Sequence, residues 1–275
     1  MDNVKIISLN PIFNEPAIVL SQRLDIKIIT DFNPQKNEIY IVYGAHDKAI
    51  ELLTHQKNLK NTYGYIILQS EQPSSKYIKN KYYIELMQNN IVFDFHSISS
   101  EYLEKNHKII TRAYHWFDFL EFQQEEVERD IDILFVGTHS KLREDIFIQL
   151  QFQLGPEKKI EFVFDNSLIQ PLELTKKLKR AKVVLNIPYY EDNILETHRI
   201  NKALSCGCKV VSKKSGDKTT DDLYDKYIHF VDDYSENPIG DKEPYTELQK
   251  LLTNSITENM KWYVKQLKKS KSNKE

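Results

Sequence analysis

Short apolar runs alternate with mixed segments and polar turns along the whole chain. In the amino-terminal part these runs are rich in β-branched and aromatic residues, and a polar turn follows each one, which is typical of buried parallel strands. Apolar residues at helical spacing occupy several of the intervals. The pattern predicts strands at 4–9, 26–30, 39–43, 65–68 and 91–93, with helices at 47–56 and 75–87. We therefore expect a small doubly wound sheet that ends near residue 115.

The same alternation starts again at residue 130. It predicts strands at 131–136, 160–164, 183–187, 209–212 and 228–231, with helices at 141–153, at 171–180 and after residue 196. Two further helical patterns follow at 245–255 and 258–268. We expect an α/β protein with two Rossmann-like domains, each built on a parallel sheet. The predicted borders are 1–115 for the first domain, 116–129 for an interdomain segment, 130–256 for the second domain, and 257–275 for a terminal helix and lysine-rich tail.

The composition narrows the range of partners. The 275 residues are 40% hydrophobic and 28% charged, which is ordinary for a soluble globular protein. The 38 basic and 40 acidic residues give a net charge of -2, so no basic field favours nucleic acid as a partner. The first apolar run is too short for a signal peptide or a membrane span. We expect a cytoplasmic protein without a signal peptide or transmembrane segment; the oligomeric state stays open.

Several common kinds of site have no motif in this chain. The cysteines, Cys206 and Cys208, have no second Cys or His pair at zinc spacing, and the acidic pair Asp130 and Asp132 lies at the amino-terminal edge of its strand. We therefore predict no metal site. The chain also contains no G-x-G-x-x-G, no G-x-x-x-x-G-K-[ST] and no G-x-S-x-G. These absences argue against dinucleotide-dependent dehydrogenases, P-loop enzymes and α/β hydrolases.

Polar residues follow three strands of the predicted second sheet. A helix that begins at the carboxyl edge of such a sheet offers N–H groups to an anion, and arginine adds charge and paired donors. Some of these residues also have simpler explanations: Arg143 as a surface charge paired with Glu144 or Asp145, Arg199 as an ion pair with Glu196, Glu196 as a helix cap, and Asn186 as a turn residue. The candidate binding residues are Gly137, Thr138, Ser140, Arg143, Asn186, Glu196, Arg199 and Ser212.

The predicted first sheet carries carboxylates at the ends of two strands. Glu71 follows the strand at 65–68, and Asp94 and His96 follow the strand at 91–93. Each could take a proton from a hydroxyl group as a general base. A lone histidine is more often structural, so we predict Glu71 and Asp94 as the catalytic residues.

Taken together, these segments resemble the GT-B glycosyltransferases. The likeness lies in FVGTHSKLRE at 135–144, in the helix motif LETHRINKAL at 195–204, in the Gly207 turn before a valine-rich strand that ends in Ser212, and in YIILQSEQ at 65–72. The resemblance implies a compact GT-B architecture whose terminal helix returns to the first domain. It also implies a nucleotide diphosphate sugar as donor, bound by the second domain without a metal or other cofactor.

One position departs from the family pattern. Many retaining members carry a second glutamate five residues before the glycine of the turn, and this chain has Lys202 there. Glu196 would then take over the contact to ribose, or the nucleotide contacts differ. The predicted function is transfer of a sugar to a hydroxyl of a carbohydrate acceptor. A non-catalytic nucleotide- or glycan-binding module and a sugar-nucleotide epimerase of similar fold remain as alternatives, and the donor base and the stereochemical outcome stay open.

Overall fold

The computed structural model describes residues 3–58, 64–113, 127–164, 171–190, 194–236 and 242–272. The chain divides into two compact units. The first unit comprises Met1–Trp116 and Lys250–Glu275, and the second comprises Phe117–Gln249. Of the predicted interdomain segment 116–129, only residues 127–129 fall within the described part of the chain.

The first unit is built on a six-stranded parallel sheet with the strand order β2-β1-β3-β4-β5-β6. Its two central strands are buried along their whole length, as expected for a parallel sheet covered on both faces. The strands are Val4–Ser8 (β1), Lys27–Ile29 (β2), Ile39–Tyr43 (β3), Gly64–Gln69 (β4), Ile91–Asp94 (β5) and Thr111–Ala113 (β6). The helices between them are Asn14–Leu24 (α1), Ala49–Asn58 (α2), Lys81–Gln88 (α3) and Ser97–His107 (α4).

The second unit holds a five-stranded parallel sheet with the order β11-β10-β9-β7-β8. Its strands are Ile131–Val136 (β7), Ile160–Val163 (β8), Ala181–Asn186 (β9), Lys209–Ser212 (β10) and His229–Phe230 (β11). The helices are Lys141–Leu154 (α5), Pro171–Arg180 (α6), Thr197–Ser205 (α7) and Lys218–Tyr224 (α8). The last helix, Tyr245–Ser272 (α9), belongs to the first unit from Lys250 onward. The prediction of an α/β fold with two parallel, Rossmann-like sheets is therefore confirmed.

Some helix borders differ from the sequence prediction. The helix predicted at 75–87 begins only at Lys81, because Asn80 caps it by accepting a hydrogen bond from the Tyr82 N–H. The preceding residues form turns, and the Ser75 hydroxyl donates to Glu71 instead of entering a helix. The two helices predicted at 245–255 and 258–268 are one helix, α9. The sequence prediction also did not include α1, which starts at Asn14 after a short 3₁₀ turn capped by Asn10.

The terminal helix contributes to the core of the first unit. Met260 and Val264 are buried, and the Tyr263 ring meets Phe93 of β5 edge-on, with 5.3 Å between the ring centroids. The guanidinium of Arg112 lies 5.6 Å from the centre of the same tyrosine ring. Through these contacts the last helix packs against strands that lie more than a hundred residues earlier in the sequence. None of the helices in the described ranges is long and apolar enough to cross a membrane.

Candidate functional site

Each sheet contains a point at which its chain connections change direction. In the first unit this point lies between β1 and β3, and in the second unit between β7 and β9. Connections that leave in opposite directions open a crevice at the carboxyl ends of the two strands, where α/β proteins bind ligands. The predicted binding residues of the second unit follow β7, β9 and β10, so they lie around its switch point.

The turn after β7 needs glycine because two arginine side chains lie against it. A Cβ on Gly137 would stand 2.8 Å from Arg199 Nη2 and 3.1 Å from Arg143 Nη1. It would also lie 2.8 Å from Cζ of Phe135. The absence of a side chain at Gly137 therefore lets both guanidinium groups approach the end of β7. After the turn, Ser140 caps α5, accepting a hydrogen bond of 3.3 Å from the Arg143 N–H.

Arg143 is buried in the second unit, with 1% of its surface exposed. Its Nε and Nη2 donate to the carbonyl oxygen of Ile187 at 3.1 and 2.6 Å, and its Nη1 donates to the carbonyl oxygen of Thr138 at 2.8 Å. The guanidinium thus joins the chain after β7 to the chain after β9. The explanation of Arg143 as a surface charge is wrong; Lys141 is instead the partner of Asp145, at 2.8 Å.

Glu196 lies between the two arginines. Its Oε1 accepts from Arg143 Nη2 at 2.7 Å, and its Oε2 lies 2.5 Å from Arg199 Nη2. Glu196 occupies the N-cap position of α7, but its side chain makes no capping hydrogen bond to that helix. We call Arg143, Glu196 and Arg199 the arginine–glutamate cluster.

Burial and pairing act against each other on the charges of this cluster. Burial alone would raise the pKa of Glu196, but the positive charges of Arg199 and Arg143 hold that pKa below its ordinary value. Burial and the charge of Arg199 lower the pKa of Arg143 to about 10. Glu196 and Arg143 are therefore both ionised at neutral pH, and a single carboxylate lies between the two guanidinium groups of the cluster.

Arg199 extends the network to the end of β9. Its Nε donates to the carbonyl oxygen of Val136 at 3.0 Å, and its Nη1 donates to Asn186 Oδ1 at 3.3 Å. The Asn186 Nδ2 in turn donates to the Ser212 hydroxyl at 3.1 Å, at the end of β10. Asn186 and Ser212 are both buried, so Asn186 ends a strand and is not an exposed turn residue. The structure thus joins Arg143, Asn186, Glu196, Arg199 and Ser212 through one set of side-chain hydrogen bonds.

Residues with a polar, aromatic or basic side chain are exposed next to this buried network. Thr138 lies at the surface, and Tyr189 is 40% exposed while its ring covers the Arg143 guanidinium at 5.3 Å. Lys213 and Lys214 are exposed directly after β10. A ligand at this edge would therefore meet positive charge, the amino-terminal end of α5 and an aromatic ring, which suits a phosphate group joined to a planar base.

In the first unit, Gln69 connects the two predicted catalytic carboxylates. Its Nε2 donates to the main-chain oxygen of Glu71 at 2.7 Å and to Asp94 Oδ2 at 3.2 Å, and its Oε1 accepts from the Glu71 N–H. Asp94 is 1% exposed, and burial raises its pKa to about 7. The Glu71 side chain is 16% exposed, so Glu71 is the more accessible of the two carboxylates.

His46 is a candidate that the sequence reading missed. It lies in a short 3₁₀ turn after β3, and its Nε2 is 3.5 Å from both Asp47 Oδ2 and Glu71 Oε1. Gly44 makes this turn possible: it has a φ of 70°, and a Cβ there would lie 3.0 Å from Asn10 Cβ. The sequence signal was the position of a Gly-Ala-His-Asp turn directly after a fully apolar strand.

Among the side chains in the described ranges, no group of three or more His, Cys, Asp or Glu residues is arranged to hold a metal ion. No protein-family model matches this chain, and no curated protein sequence matches it significantly.

Proposed function

We propose that this protein is a GT-B glycosyltransferase that moves a sugar from a nucleotide diphosphate sugar to a hydroxyl of a carbohydrate acceptor. The observation that carries the proposal is the arginine–glutamate cluster at the switch point of the second sheet. A diphosphate needs cationic donors and backbone N–H groups together, and this edge offers both.

The two arginines have different tasks in this proposal. Arg143 is buried and donates to two carbonyl oxygens and to Glu196, so it holds the site together. The Arg199 side chain is 12% exposed, so it is the guanidinium that contacts the diphosphate. The turn at Thr138 and the first turn of α5 supply N–H groups to the same phosphates.

The first unit would then act on the acceptor. Glu71 lies at the end of β4 with its side chain partly exposed, as a general base for a hydroxyl group requires. The donor itself is the only small molecule that the reaction needs besides the acceptor. Loss of the nucleoside diphosphate would be stabilised by arginine and helix dipole instead of a metal ion.

The first experiment is a thermal-shift screen of nucleoside diphosphates and their sugars. A ligand at about 100 times its Kd stabilises the native protein by about 2.7 kcal/mol. In Arg199→Gln we expect nucleoside diphosphate affinity to fall by about 10- to 100-fold, because a charge-assisted hydrogen bond is lost. Arg180→Gln is the matched control, because Arg180 is an exposed arginine of the same unit that pairs with Asp130. The proposal fails if no nucleotide shifts the melting temperature of the wild-type protein.

A non-catalytic nucleotide-binding module is the second candidate. Lys202, which is buried on α7 where many retaining family members carry glutamate, favours it. Measuring hydrolysis and transfer with a panel of nucleotide sugars separates the two. A binding module would show the thermal shift without turnover, an epimerase would convert free donor without an acceptor, and a glycosyltransferase would need the acceptor to release nucleoside diphosphate quickly.

A further inference from the structure

We infer that His46 orients Glu71 for proton abstraction from the acceptor hydroxyl. Asp94 positions Glu71 through Gln69 instead of acting as a second base. This inference rests on the proposed function and assigns roles within the first unit. In the reaction the acceptor O–H proton moves to a Glu71 oxygen, and the acceptor oxygen bonds to the anomeric carbon. The bond from that carbon to the diphosphate breaks, and its electron pair leaves with the nucleoside diphosphate.

Each oxygen of the Glu71 carboxylate has a polar neighbour. Oε2 accepts a hydrogen bond of 2.5 Å from the Ser75 hydroxyl, and Oε1 lies 3.5 Å from His46 Nε2. A carboxylate has about four lone-pair positions, so these two contacts fix its plane and leave positions for a substrate hydroxyl. Glu71 is therefore oriented and still able to accept a proton.

The His46 ring is itself fixed, as an orienting group requires. Only 6% of its side chain is exposed, and it packs on Tyr77 with 4.5 Å between the ring centroids. Phe13 and Tyr83 meet the same ring edge-on at 6.2 and 6.0 Å. With the ring held by three aromatic side chains, Nε2 has a set position between Glu71 and Asp47.

Asp94 is buried and is joined to Gln69 by a hydrogen bond. Its carboxylate accepts hydrogen bonds from Gln69 Nε2 and from the His96 N–H. The Gln69 amide also bonds to the main-chain oxygen and N–H of Glu71, so Asp94 acts on Glu71 through Gln69. A residue that is 1% exposed cannot itself meet an acceptor hydroxyl without local rearrangement.

The geometry can be tested with two substitutions at one position. His46→Gln places an amide nitrogen about where Nε2 lies and keeps a donor toward Glu71. His46→Leu has a similar volume but offers no donor. We expect His46→Leu to lower kcat about 100-fold, the size of effect that misplacing a catalytic group produces, while the donor KM changes less than about threefold. His46→Gln should recover kcat to within about 10-fold of the wild type.

Two further variants complete the experiment. Glu71→Gln should lower kcat by about 100- to 10,000-fold and keep the thermal shift with nucleoside diphosphates, because the donor binds the second unit. His55→Leu is the control, since His55 is another histidine of the first unit that packs on an aromatic ring, Phe32, at 5.5 Å. The product should have the inverted anomeric configuration, because a single displacement assisted by a base inverts the reacting carbon.

The outcomes separate this inference from the proposed function. Equal loss in His46→Leu and His46→Gln would assign His46 a packing role and overturn the inference, as would wild-type kcat in His46→Leu or a product of retained configuration. In all three cases the wild-type protein still transfers sugar, so the proposed function stands. If the wild-type protein transfers no sugar from any donor of the panel, the proposed function fails and this inference fails with it.

Discussion

Glu196→Gln tests the arginine–glutamate cluster with a change of one atom. Both carboxylate oxygens of Glu196 are used, one by Arg143 at 2.7 Å and the other by Arg199 at 2.5 Å. A glutamine keeps one acceptor oxygen for one of the guanidinium groups. Its NH₂ group, however, then faces the other guanidinium, so that donors oppose donors. The variant therefore loses both ion pairs and leaves two buried or half-buried cations without a counter-charge.

The cost can be worked out from the burial of each partner. Removing one member of a buried ion pair destabilises a protein by about 3–5 kcal/mol. Arg143 is 1% exposed and feels the full penalty, whereas the Arg199 side chain is 12% exposed and can gain some hydration. We expect the lower end of the range, a loss of about 3 kcal/mol from the unfolding free energy of the second unit.

Hydrogen exchange is the suitable assay. The second unit contains no tryptophan, so intrinsic tryptophan fluorescence does not report on its unfolding. Amide protons of β7 and β9 exchange through opening of the sheet, and a loss of about 3 kcal/mol would speed their exchange about 100-fold. The control is Glu144→Gln on α5, an exposed glutamate of the same unit, for which we expect a change within about 0.5 kcal/mol. If the amide protons of β9 exchange as slowly in Glu196→Gln as in Glu144→Gln, the cluster does not stabilise the second unit and the role that we assign to Arg143 is wrong.

Three further predictions concern other parts of the molecule. Burial raises the pKa of Asp94 from 3.8 to about 7, so the folded protein keeps this proton after the unfolded chain has lost it. The unfolding free energy should then fall as pH rises from 4 to 7, by up to roughly 4 kcal/mol. Urea titrations of Asp94→Asn should lack this decline; if unfolding free energy depends on pH equally in wild type and variant, the prediction is wrong. Gly137→Ala would place a methyl group 2.8 Å from Arg199 Nη2 and should cost about 1–3 kcal/mol in thermal unfolding and weaken nucleoside diphosphate binding. Burial raises the pKa of Cys208 to about 12, so iodoacetamide at pH 8 should label Cys206 and Cys208 in urea but leave Cys208 unlabelled in the native protein, as mass spectrometry would show.

The strands were the predictable part of this fold. Parallel strands buried on both faces appear in the sequence as short β-branched runs, and their ends coincide with the first polar residue after each run. The turn at Gly137 follows directly from this rule, whereas β9 ends at Asn186, one residue before the predicted end at 187. Because the carboxyl ends of parallel strands share one edge, the sequence could also predict that Asn186 and Ser212 lie close together.

The partners of the charged residues were not predictable in the same way. The sequence places Arg143 beside Glu144 and Asp145, but neighbours one or two positions apart on a helix do not face each other. Its actual partner, Glu196, is 53 residues away. The pairing of His46 with Glu71 likewise depends on a left-handed glycine turn and on the order of β3 and β4 in the sheet, neither of which leaves a local pattern in the sequence.

The position of Glu196 also bears on the departure at Lys202. The family resemblance left two possibilities: Glu196 takes over the ribose contact of the missing second glutamate, or the nucleotide contacts differ. In the structure each Glu196 oxygen already accepts from a guanidinium, and only 9% of the side chain is exposed. Its main effect is to fix two arginines with their charges close together, which is unfavourable without a counter-ion between them. If the second unit binds a nucleotide, recognition of the ribose and base therefore falls to exposed groups after β9 and β10, with Tyr189 and Lys213 as the candidates.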